Sequence, residues 1–426
     1  MGELFPVTYG RGVARGVGAE LARRHGRPVV IAHPEPWASL APDLGVEPAA
    51  VVMVEGLERE YLDGLVRDLP PGPVLGIGGG SAMDAAKWVH WRGGRPLWQV
   101  PSLPSVDAVF THMVAVRDAT GVHYSGDAIP EMVFVDFDLM REAPVHLLRG
   151  GIGDVLACHT ARWDWQHAVA RGHDPAWDAE AAEDSLRIVA RLAELAPHLR
   201  NAEDEGIEGL MELHRLVGKR CDDLGHARFE EGSEHFLAYC FEFVNGRTIM
   251  HGELVALGVL IMSALQGNAP ERARSIVAAA GVRHAPDELG ITWDELDAAL
   301  RELPAFVARE DLWFSVANEL VVGERELAIA RDALDFETPP DAAMTGRAAG
   351  MAAVRDDADR PAPSSWRRRA SCWPRVPACS SGSRASGGSS RSRSCCWACR
   401  CCCRALDRRL PRLAGRCCWL CWASAS

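Results

Sequence analysis

Lysine is almost absent: of the 46 Lys and Arg in this 426-residue chain, only Lys87 and Lys219 are lysines, a bias that reads as the product of a GC-rich genome. Positive charge is scarce over most of the length. Residues 361–426 hold 13 Arg against one acid, Asp407, so the preceding residues are more acidic than the overall net charge of −12. That balance excludes the broad positive field a nucleic-acid binder needs and leaves small molecules and protein surfaces as partners. Long apolar runs are also missing, and no charged-then-apolar leader opens the chain. Neither a membrane span nor a signal peptide is expected, and the expected location is the cytoplasm. Cysteine is sparse in the body, with only Cys158, Cys221 and Cys240 before residue 372. Such usage fits a reduced cytosolic protein.

The remaining 11 of the 14 Cys crowd between residues 372 and 421, mixed with Trp, Ser and Arg. A run of three Cys at 401–403 without steady CxxC spacing makes a poor tetrahedral ligand set, and a disulfide framework needs an oxidising compartment. A slip of reading frame near residues 345–365 accounts for the composition, because out-of-frame GC-rich coding yields these residue types. We therefore expect 346–426 to lack a designed fold.

Ahead of that tail, 48% hydrophobic content suffices for two domains. Short apolar runs at 28–32, 51–54, 74–77, 97–100 and 132–135 alternate with helix-like stretches at 12–24, 57–69 and 81–91. The alternation predicts an α/β domain over 1–142, an open and mostly parallel nucleotide-binding sheet. Helical periods then dominate, so an all-α helical domain binding metal and substrate is expected over 143–345.

One turn carries chemistry. Gly76-Ile-Gly-Gly-Gly-Ser81-Ala-Met-Asp84-Ala-Ala-Lys87 follows a buried-strand pattern and opens a helix, where free N–H groups and the helix dipole favour a phosphate. Gly78, Gly79 and Gly80 allow close approach, Ser81 adds a hydroxyl, and Lys87 reads either as a reach toward a ribose or phosphate or as a solvated lysine. The spacing is neither GxGxxG nor a Walker pattern. A second loop, Pro101-Ser102-Leu103-Pro104-Ser105-Val106-Asp107, ends the next strand on the same edge, and Asp107 reads as a ligand group or an Asx turn.

In the helical half, Asp154, His235 and His251 each stand at a helix start. Singly, Asp154 reads as an N-cap and each histidine as a helix-end imidazole. Together, one carboxylate and two imidazoles make a metal site with open positions.

These ordered motifs, with RWDW at 162–165, GSEH at 232–235 and HGE at 251–253, resemble the iron-containing alcohol dehydrogenase and dehydroquinate synthase superfamily over about residues 5–340. The likeness is greatest to its sn-glycerol-1-phosphate dehydrogenase branch. The resemblance implies that Gly80, Ser81, Asp84, Ser102, Leu103, Pro104, Ser105 and Thr111 contact NAD or NADP. It further implies Asp107 at the substrate, and Asp154, His235 and His251 on one divalent metal, zinc ahead of iron or nickel. Where that branch resembles GSEHxxxH, this chain has Tyr239, which puts the substrate's identity in question. The expected reaction is metal-assisted reduction of dihydroxyacetone phosphate or a similar hydroxyketone. The alternatives are a glycerol or polyol dehydrogenase, a sugar-phosphate cyclase and a non-catalytic binder. Arg149, Arg162 and Arg247 are candidate phosphate partners, a homo-oligomer is expected, and Glu35 after the 28–32 strand bears on the choice of cofactor.

Overall fold

Strands buried along their whole length need cover on both faces, and the strands at 29–32, 74–78 and 97–101 are of this kind. The computed structural model describes residues 6–105, 107–118, 121–173 and 176–338, and the tail expected at 346–426 lies outside them. Its strands are β1 (Val7–Gly10), β2 (Val29–Ala32), β3 (Ala50–Met53), β4 (Val74–Gly78), β5 (Leu97–Pro101), β6 (Val114–Asp118), β7 (Gly121–Ser125) and β8 (Met132–Asp136). Six of them form a sheet of order β1-β8-β5-β4-β2-β3 in which every pairing is parallel. β6 and β7 form a separate antiparallel hairpin.

Helices α1 (Val17–His25), α2 (Pro34–Leu40), α3 (Arg59–Asp68) and α4 (Gly80–Gly93) connect the strands. Side chains alternate across the sheet. Val30, Ala32, Leu75, Ile77, Trp98 and Val100 pack with Val17 and Leu21 of α1 on one face, while Ile31, Val74 and Leu97 pack with Leu62, Ala85, Trp88 and Val89 on the other. The chain passes outward from β2 to β3, then returns past β2 to β4 and continues to β5. The order thus reverses between β2 and β4, and ligands of open α/β sheets bind beyond the strand ends at such a point.

Helices alone follow β8 among the described residues: α5 (Phe137–Glu142), α6 (Val145–Gly150), α7 (Ile152–Leu156), α8 (Cys158–Ala170), α9 (Ala179–Arg200), α10 (Asp204–Leu224), α11 (Ser233–Asn245), α12 (His251–Gln266), α13 (Pro270–Ala280), α14 (Trp293–Arg309) and α15 (Glu324–Leu334), with short 3-10 turns between some of them. Their apolar faces share one core with Ala82, Met83, Val133 and Val135, so the helical half is packed directly on the sheet half. Two expectations need correction. The first helix starts at Val17 rather than residue 12, because Gly16 takes a left-handed φ of 72°. β1 and the β6–β7 hairpin were not among the strands expected.

Candidate functional site

β4 ends in Gly78, whose φ of 149° is a glycine conformation. A Cβ there would lie 2.8 Å from the His33 ring, so the glycine admits that ring. His33 follows β2 and thus sits at the point of strand reversal. The Gly79 N–H donates to His33 Nδ1 at 3.1 Å, which leaves Nε2 to donate to Ser81 Oγ at 2.9 Å. Burial lowers the His33 pKa, in keeping with this neutral ring. Gly80 and Ser81 open α4, whose first N–H groups lack partners within the helix.

Deeper in α4 the polar groups are spent on the protein. Asp84 accepts the Ala115 N–H at 3.1 Å and pairs with Lys87 at 3.1 Å. Lys87 is fully buried, and its ammonium donates to the carbonyls of Ala108 at 2.7 Å, Thr111 at 3.3 Å and Met113. Both sequence readings of Lys87 are corrected: it is neither solvated nor reaching outward, but pins the 108–113 loop to α4. Thr111 contributes its carbonyl to this clamp, with Oγ1 3.4 Å from the Met113 carbonyl.

The loop after β5 joins the two halves. The Ser102 N–H donates to the Gly78 carbonyl at 2.8 Å, and the Leu103 side chain lies over Gly79. The Pro104 carbonyl accepts from His214 of α10 at 3.1 Å and presses on Gly151, where a Cβ would come within 1.6 Å of it. Ser105 is half-buried next in the loop. Asp107 is half-buried in a 3-10 turn, its pKa pushed up to about 7 by burial and then by the charge of Asp154.

Glycines also set the metal candidates. A Cβ on Gly153 would stand 1.8 Å from the Gly252 carbonyl, and one on Gly252 would stand 2.1 Å from that of Gly150. α7 and α12 therefore start backbone against backbone, which brings Asp154 and His251 together. Asp154 lies inside the short α7 and is not its N-cap, correcting the single-residue reading. Its Oδ1 is buried without a hydrogen-bond partner, 3.4 Å from His251 Nε2 and 3.9 Å from His235 Nε2. The three ligand atoms lie within 4.8 Å of one another.

Sequence reading missed the residue that aims His235. Glu234, fully buried, accepts from His235 Nδ1 at 2.9 Å, from the Gly232 N–H at 2.6 Å and from Thr160 Oγ1 at 2.8 Å. With Nδ1 held by Glu234, Nε2 is the nitrogen turned toward Asp154, the usual carboxylate-histidine support of a metal ligand. Burial opposes charge on His235, but Glu234, then Glu231 and Asp154, outweigh it and raise its pKa to about 9. His251 falls to about 3 through burial and the charges of His235 and Arg117. Its side chain is 38% exposed, so the burial is that of a crevice wall. Asp164, from RWDW, accepts the Ser233 N–H at 2.8 Å and ties down the start of α11.

An orphaned buried carboxylate oxygen facing two imidazole nitrogens fits a divalent cation, which would supply the missing partner. Tyr239 donates to Glu231 at 2.8 Å, and its ring lies 6.3 Å from that of His251. Of the arginines expected at a phosphate, Arg149 is bound to the carbonyls of Gly281 and Arg200, and Arg247 to Gly290 and Glu295. Arg162 stands beside Arg272. Arg117 of β6, not singled out in the sequence, is the arginine whose charge acts on a triad member.

Residues 45–144 match the family model described as iron-containing alcohol dehydrogenase. Over those residues the chain is similar to the iron-containing alcohol dehydrogenases. It is 29% identical over 244 residues to a glycerol-1-phosphate dehydrogenase [NAD(P)+] of Hyperthermus butylicus, covering 57% of this chain and 70% of that one. The namesake of Aeropyrum pernix is 28% identical over 257 residues, covering 60% and 71%. In fold the chain is similar to a probable glycerol dehydrogenase of Sinorhizobium meliloti 1021, with TM-score 0.59, 19% identity and coverage of 77% and 95%. It is likewise similar to glycerol dehydrogenase from Schizosaccharomyces pombe, with TM-score 0.54, 22% identity and coverage of 78% and 92%.

Proposed function

We propose that this protein is a metal-dependent, NAD(P)-linked oxidoreductase that reduces dihydroxyacetone phosphate or a close hydroxyketone to its chiral alcohol. The observation that carries the reading is the buried Asp154 oxygen without a partner, facing His235 and His251 beside the glycine turn of a parallel sheet. The names of the relatives support the phosphorylated substrate.

In this reading Asp154, His235 and His251 hold the metal, zinc by its suitability for one carboxylate and two imidazoles. The bound ion supplies Lewis acidity for alkoxide character at the substrate oxygen. Glu234 keeps His235 in the ligating tautomer. Gly78, Gly79, Gly80 and Ser81 receive the cofactor pyrophosphate at the α4 N-terminus, with Ser102 to Ser105 closing over it. Asp84, Lys87 and Thr111 act by fixing the surrounding loop. Asp107, with a pKa of about 7, exchanges a proton with the substrate hydroxyl near neutrality. Arg117 meets the phosphate end, and Tyr239 with Glu231 borders the substrate. A cytoplasmic homo-oligomer supplying glycerol phosphate to phospholipid metabolism completes the proposal.

The full chain, loaded with zinc, is tested with dihydroxyacetone phosphate and with dihydroxyacetone while NADPH or NADH absorbance is followed. Net cofactor oxidation with the phosphorylated ketone is expected, and Arg117→Ala raises its KM about tenfold with kcat little changed. Preference for the unphosphorylated ketone would replace this reading with a polyol dehydrogenase. Phosphate release without net cofactor turnover would replace it with a cyclase.

A further inference from the structure

Half-buried arginines in this acidic chain nearly all find a carboxylate, a carbonyl or an aromatic face. Among the described residues Arg117, Arg162 and Arg272 are half-buried with side chains that make neither a hydrogen bond nor an ion pair. Two of these stand together. His159 and Arg162 lie one turn apart on α8, and Asn268 and Arg272 flank the start of α13. His159 Nε2 donates to the Asn268 carbonyl at 2.7 Å, Asn268 Nδ2 returns a bond to the His159 carbonyl at 2.9 Å, and Gln266 Nε2 reaches the Thr160 carbonyl at 3.3 Å. This stitch sets Arg162 beside Arg272.

The placement is costly from three directions. Burial and then the Arg272 charge lower the Arg162 pKa, and no acid acts on Arg162 to offset them. Burial lowers His159 as well; the Asn268 carbonyl opposes that shift, and Arg272 and Arg162 add to it. Arg272 also lies in the first turn of α13, the end of a helix that repels a cation. One anion between the guanidinium groups relieves all three. Among the described residues no acid is paired with either arginine. Neither arginine acts on Asp154, His235 or His251, so the pair is separate from the triad.

We propose that Arg162 and Arg272 form a second anion site, for a phosphate-type oxyanion held between two guanidinium forks, with His159 and Asn268 as the strut that sets their spacing. Arg suits this task better than Lys because each planar fork offers two parallel donors to a tetrahedral oxyanion. The site does not depend on the reaction assigned to the triad.

The test is calorimetric titration of the full-length, metal-loaded protein, with Arg162→Gln and Arg272→Gln beside the wild type, at constant ionic strength. Inorganic phosphate is one probe and O-phosphoethanolamine the other, separating a free anion from a phosphoryl group carried on a larger molecule. Either probe should bind the wild type and loosen about tenfold or more in each variant. Each variant without phosphate should melt no lower than the wild type, since a like-charge contact is gone, and the substrate KM should stay unchanged. Equal phosphate binding in all three proteins overturns the site. So does dissociation of both variants into smaller species by light scattering with phosphate binding unaltered, which assigns the pair to an acidic side chain of a second copy.

Discussion

In α4, Asp84 and Lys87 are buried together, and each has partners on the adjoining loop: a backbone N–H for the carboxylate, three carbonyls for the ammonium. In α7, Asp154 is buried just as deeply, and one of its oxygens has none. Both segments are helix starts carrying an acid behind glycines, so sequence pattern treats them alike. The difference is in closure. The first charge pair is complete and holds a loop, while the second leaves an oxygen open that a cation would complete.

Substitution should separate the two regions. The largest effect is expected at Gly153→Ala, whose methyl cannot coexist with the Gly252 carbonyl 1.8 Å away. α7 must leave α12, and metal content and turnover should both fall by about a hundredfold or more. Next comes Lys87→Met, which strands buried Asp84 and should cost about 3–5 kcal/mol in denaturant unfolding. Metal stoichiometry in the folded fraction should be unchanged. Asp154→Asn should do the reverse, losing the metal while the metal-free protein unfolds at no lower denaturant. The sign follows from burial, which raises the Asp154 pKa above the ordinary carboxylate value. The native state then binds more protons than the unfolded one, and metal-free stability declines as pH rises through that window. Asparagine removes this decline.

Much of this comparison was legible in the sequence, but not its sense. The five apolar runs at 28–32, 51–54, 74–77, 97–100 and 132–135 correspond to sheet strands, and the three central ones are buried along their whole length, which leaves a continuous apolar signal. β1 escapes that reading because its sequence, Val-Thr-Tyr-Gly, is no continuous apolar run, unlike the Ala-Val-Val-Met of β3 at the other edge. Asp154, His235 and His251 stand out in their motifs as candidate metal ligands, and their ligand atoms lie within 4.8 Å of one another, close enough to hold an ion. Lys87 was misread because helix position says nothing about the loop that folds over it. Glu234 stood in plain view beside His235. Its role needed the geometry that turns a neighbouring carboxylate onto Nδ1.

Two smaller effects sharpen the open side. Glu234→Gln keeps the shape but weakens the grip on His235, and should loosen metal binding about 10–100-fold. His235, held near a pKa of about 9, is protonated at neutral pH in the metal-free protein. Metal binding at pH 7 should therefore release about one proton, and affinity should rise with pH until about 9. Calorimetry in buffers of different ionisation enthalpy measures that release, and none is expected to come from His251.

The most direct test combines metal and turnover in one protein. Full-length enzyme stripped of metal should lose NAD(P)H oxidation with dihydroxyacetone phosphate and regain it with one equivalent of zinc, while Asp154→Asn regains nothing. Turnover that survives stripping, or that zinc restores equally in Asp154→Asn, would contradict the assignment of the open triad as the catalytic metal centre.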